Sequence, residues 1–145
     1  FFTVYGPFGR PDMFLFKLTD SIINSKKIDV YNNGNHYRDF TYIDDVINSM
    51  LKIIKKPSNK KIPYQIFNIG SSRPIHLIKF IQIIEKLLRK KAIINYKQMQ
   101  SGDVLKTHAN FKKIKKTIKY SPSFKLEKGI KNFIDWYLKY YNVKI

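Results

Sequence analysis

Arg38-Asp39-Phe40-Thr41-Tyr42-Ile43-Asp44-Asp45-Val46 passes from an extended run into a helix within a few residues. Arg38 to Tyr42 reads as extended. Thr41 or Asp44 is placed to cap a helix from Ile43 to about Lys55, whose apolar stripe is Val46, Ile47, Met50, Leu51 and Ile54. An Arg at the edge of an extended segment offers a planar fork to a phosphate or diphosphate, and Asp39 beside it is placed to hold that fork in one rotamer. Asp44 and Asp45 fall where a helix begins, and the helix dipole favours carboxylates there. They need no catalytic role, because adjacent helical residues point in different directions. On spacing alone, a surface ion pair followed by a capped helix is the simpler account.

Upstream, Ile28-Asp29-Val30-Tyr31 reads as a short strand and Asn32-Asn33-Gly34-Asn35 as a turn. Met13 to Asn24 carries Phe14, Leu15, Leu18, Ile22 and Ile23 at helical spacing, with Lys26-Lys27 suiting its C-terminus. Before it, Val4-Tyr5 reads as a strand end, stopped by Gly6, Pro7, Gly9 and Pro11. The chain opens inside an apolar run without an initiator Met, so an upstream segment is expected.

Downstream, Pro57-Ser58-Asn59 marks a loop, and Tyr64 to Ile69 alternates as a strand ending at Gly70. Ser72 is placed as N-cap and Pro74 as an early residue of a helix to about Arg89. Ala92 to Tyr96 reads as a strand, Gln98 to Thr107 as a polar loop and Asn110 to Lys116 as a short helix. Leu126 to Tyr141 forms a final amphipathic helix. Strands alternating with helices predict an α/β architecture, with too few strands for a complete doubly wound sheet.

The 145 residues carry a formal charge of +18. A polyanion-binding surface is one reading. The other is drift, since the 28 basic residues include only 4 Arg, and the chain has 22 Ile and 11 Asn but 2 Ala, all biased toward AT-rich codons. Nucleic-acid readers rely on Arg for base edges and bidentate phosphate contacts, so drift is favoured, and neither nucleic acid nor membrane is expected as a partner. A basic surface would still steer an anionic nucleotide toward the protein. Cys is absent, which excludes disulfides and fits a reducing cytoplasm. His36, His76 and His108 show no metal-ligand spacing, so no metal is expected.

Several motifs together resemble one family. Thr3-Val4-Tyr5-Gly6-Pro7-Phe8-Gly9-Arg10-Pro11-Asp12-Met13 comes first, then Val30-Tyr31-Asn32-Asn33-Gly34 followed by Arg38 through Val46. Phe67-Asn68-Ile69-Gly70 with Pro74, Gly102-Asp103-Val104 with Thr107, and Gly129-Ile130 with Phe133 and Trp136-Tyr137 follow in order. The set resembles the NAD-dependent nucleotide-sugar epimerases of the extended short-chain dehydrogenase/reductase type, nearest to the UDP-glucuronate 4-epimerases. The resemblance implies the C-terminal, substrate-binding part of that fold, an incomplete Rossmann sheet plus a small α/β domain. Residues 1–145 would form the substrate-binding portion, without the N-terminal cofactor domain, and this portion alone is expected to be inactive.

The implied roles follow residue by residue. Phe1 would pass the nicotinamide of NAD, and Thr3 would meet the nucleotide-sugar. Tyr31 would lie beside the uracil, where an aromatic stacks well, or serve as an ordinary edge-strand Tyr. Arg38 would hold the diphosphate. Asp103 would contact the ribose, though alone it reads as a turn Asp. Arg10 is either a second anion contact or a solvent-exposed loop Arg. Relatives of the UDP-galactose type carry Arg three residues before the Gly-Asp carboxylate, where this chain has Gln100, and Tyr where it has Phe40. The family's Gly-rich loop and Tyr-x-x-x-Lys pair are expected upstream. Tyr140 with Lys144 matches that spacing but lies too far along the chain, so no catalytic residue is assigned. The intact protein is expected to be a homodimer that takes a UDP-sugar. The alternatives are a dehydratase or decarboxylase of the same type, or a basic polyanion-binding module.

Overall fold

Residues 27–31 alternate Lys27 out, Ile28 in, Asp29 out, Val30 in, the pattern of a strand with one buried face. In the computed structural model, which describes residues 1–59 and 61–144, they form β2 (Lys27–Tyr31). The other strands are β1 (Val4–Tyr5), β3 (Tyr37–Arg38), β4 (Thr41–Tyr42), β5 (Ile75–His76) and β6 (Ile93–Lys97). The helices are α1 (Phe14–Ile23), α2 (Ile43–Ile54), α3 (Leu77–Leu88), α4 (Lys112–Ile118) and α5 (Leu126–Tyr140). Among the described residues the strands pair as three two-stranded ladders. β1 with β4 and β2 with β6 are parallel, and β3 with β5 is antiparallel. Lys27 stands opposite Ile93 and Tyr31 opposite Lys97.

Helical period decides which faces are buried. Leu77, Phe80, Ile81, Ile84 and Leu88 make one stripe of α3, and Leu15, Leu18 and Ile22 make that of α1. With Ile130, Phe133, Ile134 and Tyr137 of α5, they enclose Tyr5 and Tyr42 from the short strands and Phe40 from the link between β3 and β4. Phe40 stacks on Phe80 at 4.0 Å between ring centres. A smaller cluster joins Val46, Ile69, Ile114, Ile118 and Tyr120 beneath α2 and α4. Burial pushes the Tyr120 phenol up to about 12, and its hydroxyl donates to the Gly70 carbonyl at 2.9 Å.

Gly129 lets α5 lie directly on β1 and β4. A Cβ there would overlap the Tyr5 hydroxyl and come within 2.7 Å of the Tyr42 ring. Gly129→Ala is therefore expected to destabilise the chain by about 1–3 kcal/mol in a urea titration, although Ala normally favours a helix. Unchanged stability would mean that α5 does not approach so closely.

Four sequence expectations are corrected. Neither Thr41 nor Asp44 caps α2. The cap position is Tyr42, with no side-chain hydrogen bond, because Thr41 is already paired in β4 and Asp44 lies inside the first turn. Ser72 and Pro74 do not start α3, whose cap position is His76. Ser72 has φ +54°, and its N–H donates to Asp39 Oδ2 at 2.9 Å, so residues 71–74 are held as a loop, and β5 follows before the helix. Tyr64 to Ile69 is not a strand. Phe2 N–H donates to the Ile69 carbonyl at 3.3 Å, but Tyr64 and Ile66 stay exposed and no ladder forms along the run. An alternating pattern becomes a strand only where a neighbouring strand supplies bonds.

The fourth correction concerns Asp39, which does not hold the Arg38 fork. It is fully buried and accepts from Ser71 N–H at 3.1 Å, Ser72 N–H at 2.9 Å and Ala109 N–H at 2.7 Å, and also from the Ser71 hydroxyl. It thus ties two loops to the end of β3. Asp45 does similar work for the approach to α5, accepting from Ser123 N–H at 3.0 Å and Phe124 N–H at 3.2 Å.

Candidate functional site

The turn after β2 shapes the site. Gly34 sits at φ +76° with Ile78 of α3 packed against its Cα, so a side chain there would clash with Ile78 and would be strained as well. This close turn sets Tyr31, at the end of β2, and Arg38, on β3, along one cleft of about 530 Å³. Thr3 and Asp103 also line it, along with Phe14 and Lys17 of α1. Four of the sequence-predicted residues, Thr3, Tyr31, Arg38 and Asp103, therefore converge although they come from four separate segments. Phe1 and Arg10 do not join them. They line a neighbouring cleft of about 410 Å³, into which Thr3 also reaches.

Arg38 is ordered by three bonds. Its Nη2 donates to Asp103 Oδ1 at 2.8 Å, and its Nη1 donates to the Val104 carbonyl at 2.7 Å and the Tyr37 carbonyl at 3.1 Å. Its side chain is 19% exposed and that of Asp103 31% exposed, so the pair is partly shielded from solvent while still open to the cleft. The role of fork-holder, expected of Asp39, thus falls to Asp103. The Asp103 loop comes alongside β3 because Tyr37 N–H donates to the Leu105 carbonyl at 2.8 Å and Thr107 N–H to the Tyr37 carbonyl at 3.1 Å.

Arg10 is exposed and bonded to its near neighbour Asp12, with Nε to Oδ1 at 3.0 Å. That hydrogen bond pushes the Arg10 guanidinium up and holds the Asp12 carboxyl below its ordinary value. Gln100 points to no cationic role, and its carbonyl accepts from Asp103 N–H at 3.3 Å. Tyr140 is 62% exposed on the outer face of α5. The sequence reading passed over His36 and Lys17, which also line the main cleft. A lone His in a turn carries no spacing signal, and Lys17 is one of many lysines in the chain.

A cleft carrying a cationic fork, a carboxylate and a tyrosine wall is suited to an anionic ligand with hydroxyl groups. The α/β scaffold that carries this cleft matches the C-terminal part of the extended short-chain dehydrogenase/reductase fold. Residues 1–70 match the model of the NAD dependent epimerase/dehydratase family.

Protein CapI of Staphylococcus aureus is 44% identical over 155 residues, covering 97% of this chain and 46% of that protein. UDP-glucuronate 4-epimerase 1 of Arabidopsis thaliana is 42% identical, covering 97% of this chain and 36% of its own length. UDP-glucuronic acid 4-epimerase from Bacillus cereus, solved in complex with UDP-glucuronic acid and NAD, superposes with a TM-score of 0.87 at 31% identity. That match covers 97% of this chain and 44% of the other. The chain thus spans less than half the length of these relatives. Among the described residues, no helix is long and apolar enough to cross a membrane.

Phe1 is 70% exposed at the smaller cleft and offers a flat apolar face of the kind on which a nicotinamide ring would pack.

Proposed function

We propose that this chain is the UDP-holding portion of an NAD-dependent UDP-sugar 4-epimerase that interconverts UDP-glucuronate and UDP-galacturonate. The observation that carries the reading is the Arg38–Asp103 pair set in a cleft that Tyr31 also lines. In this reading Arg38 turns its donors to the diphosphate, Asp103 accepts from a ribose hydroxyl, and Tyr31 stacks on the uracil. Thr3, common to both clefts, contacts the sugar where it passes from one to the other. Phe1 faces the nicotinamide. Arg10 is a second anion contact once a ligand displaces Asp12.

The division of labour has a physical logic. Gripping the remote UDP leaves the hexose free to turn over between the two half-reactions, and the binding energy positions C4. When bound, NAD supplies hydride removal and return at C4. This chain's residues bind and orient, and the residues that move the hydroxyl proton are proposed to lie upstream, so this portion alone should not turn substrate over. The intact protein is proposed to be a cytoplasmic homodimer making nucleotide-sugars for polysaccharide synthesis.

Calorimetric titration with UDP tests the reading. Saturable binding, competed by UDP-glucuronate, is expected. No UDP binding, with salt-dependent binding of arbitrary duplex DNA instead, would overturn it in favour of a polyanion-binding module.

A further inference from the structure

His36 is a buried polar group of the main cleft that the proposed function leaves unused. It lies between the tight turn and β3, with its side chain 4% exposed, and it lines the same cleft as Arg38 and Asp103. Its backbone is fully engaged. Its N–H donates to the Gly34 carbonyl and its carbonyl accepts from Leu77 N–H, both at 2.8 Å. The ring is therefore anchored between the turn and the start of α3. Its Nε2 is buried without a hydrogen bond, yet it stands 3.3 Å from Asp103 Oδ2. The separation is within hydrogen-bond reach, although no bond is formed. A buried ring nitrogen without a partner is uncommon, since its desolvation goes uncompensated.

The other carboxylate oxygen is already taken. Asp103 Oδ1 accepts from Arg38 Nη2 and from Val104 N–H, both at 2.8 Å. His36 thus faces the less occupied oxygen of the carboxylate that holds the Arg38 fork. We infer that His36 is a positioning residue for the Arg38–Asp103 pair, serving a nucleoside diphosphate ligand. With its proton on Nε2, a small turn of the ring brings it to donate to Asp103 Oδ2 and so to fix the carboxylate plane. When a diphosphate draws Arg38 into the cleft, Asp103 loses one donor, and His36 keeps the partly buried carboxylate from being stranded. The identity of the ligand rests on the proposed function. The contact between His36 and Asp103 does not.

Nitrogen-resolved NMR of the ligand-free chain tests the contact without any substitution. The His36 ring is expected to carry its proton on Nε2, and an unprotonated Nε2 overturns the proposal. Two variants extend the test. His36→Leu removes the donor and keeps much of the bulk, while His36→Gln restores a side-chain N–H of similar reach. His36→Leu is expected to speed solvent exchange of the Arg38 side-chain N–H groups and to weaken UDP binding about tenfold. His36→Gln should return both to within about twofold of the parent chain. In an Asp103→Asn chain, adding His36→Leu should cost nothing more. A His36→Leu chain with parental exchange and affinity overturns the proposal, as does equal weakening in the Asp103→Asn background or failure of Gln to restore. If His36→Leu does not fold, the ring-proton measurement and His36→Gln still decide. Absence of UDP binding alongside the expected Nε2 proton and slow Arg38 exchange would sink the nucleotide reading and leave the positioning role standing.

Discussion

Asp39→Asn is expected to lower the free energy of unfolding by about 2–4 kcal/mol, read from the midpoint of a urea titration at constant slope. The carboxylate is fully buried and accepts from four backbone N–H groups and a hydroxyl in segments 32 to 70 positions away. An amide keeps the shape but turns one acceptor into a donor, aimed at other donors. The loops at 71–73 and 107–109 would then lose their common anchor, and buried N–H groups would go unmet. Asp44→Asn, at an exposed position of α2, serves as the control and should move stability by no more than about 0.5 kcal/mol. Equal small effects at both positions would show that Asp39 is not an anchor.

Arg38→Ala is expected to weaken UDP binding by about 1.5–3 kcal/mol, roughly 10- to 150-fold. The loss is larger than a surface cation would give because Arg38 is mostly shielded and already aligned by two carbonyls and a carboxylate. Arg38→Lys should recover only part, since a point charge cannot present the planar fork. Truncation would also free Asp103, whose uncompensated charge would oppose a diphosphate. In a protein that joins this chain to an upstream cofactor domain, the same variant should raise KM for the UDP-sugar. An Arg38→Ala chain that binds UDP like the parent would remove Arg38 from the site.

Elements that advertise themselves by period were legible from the sequence. The stripes of α1, α3 and α5 and the alternation of β2 are local, and the structure places each within a few residues of the expected bounds. What failed depended on distant partners. Tyr64 to Ile69 has strand-like alternation without a ladder to join. Ser72 has a capping side chain, but Asp39 takes its backbone N–H. The site divides the same way. Motif order supplied Thr3, Tyr31, Arg38 and Asp103, which share one cleft. The exchange of partners, Asp103 for Asp39 beside Arg38, was invisible because it hinges on a contact 65 positions apart. His36 had no signal at all, since its importance lies in which oxygen it faces.

The parallel pairing of β2 with β6 joins residues some 66 positions apart, as the bond from Asn95 to Asp29 marks. On a ribosome, β2 emerges long before its mate and must wait while α2 and α3 are made. A half-buried strand with an open edge is then available to the wrong neighbour, including the same strand of another nascent chain. Closing so long a loop is also slow. Lys27 and Asp29 on the exposed side of β2 are charges of the kind that discourage such mispairing while the strand waits.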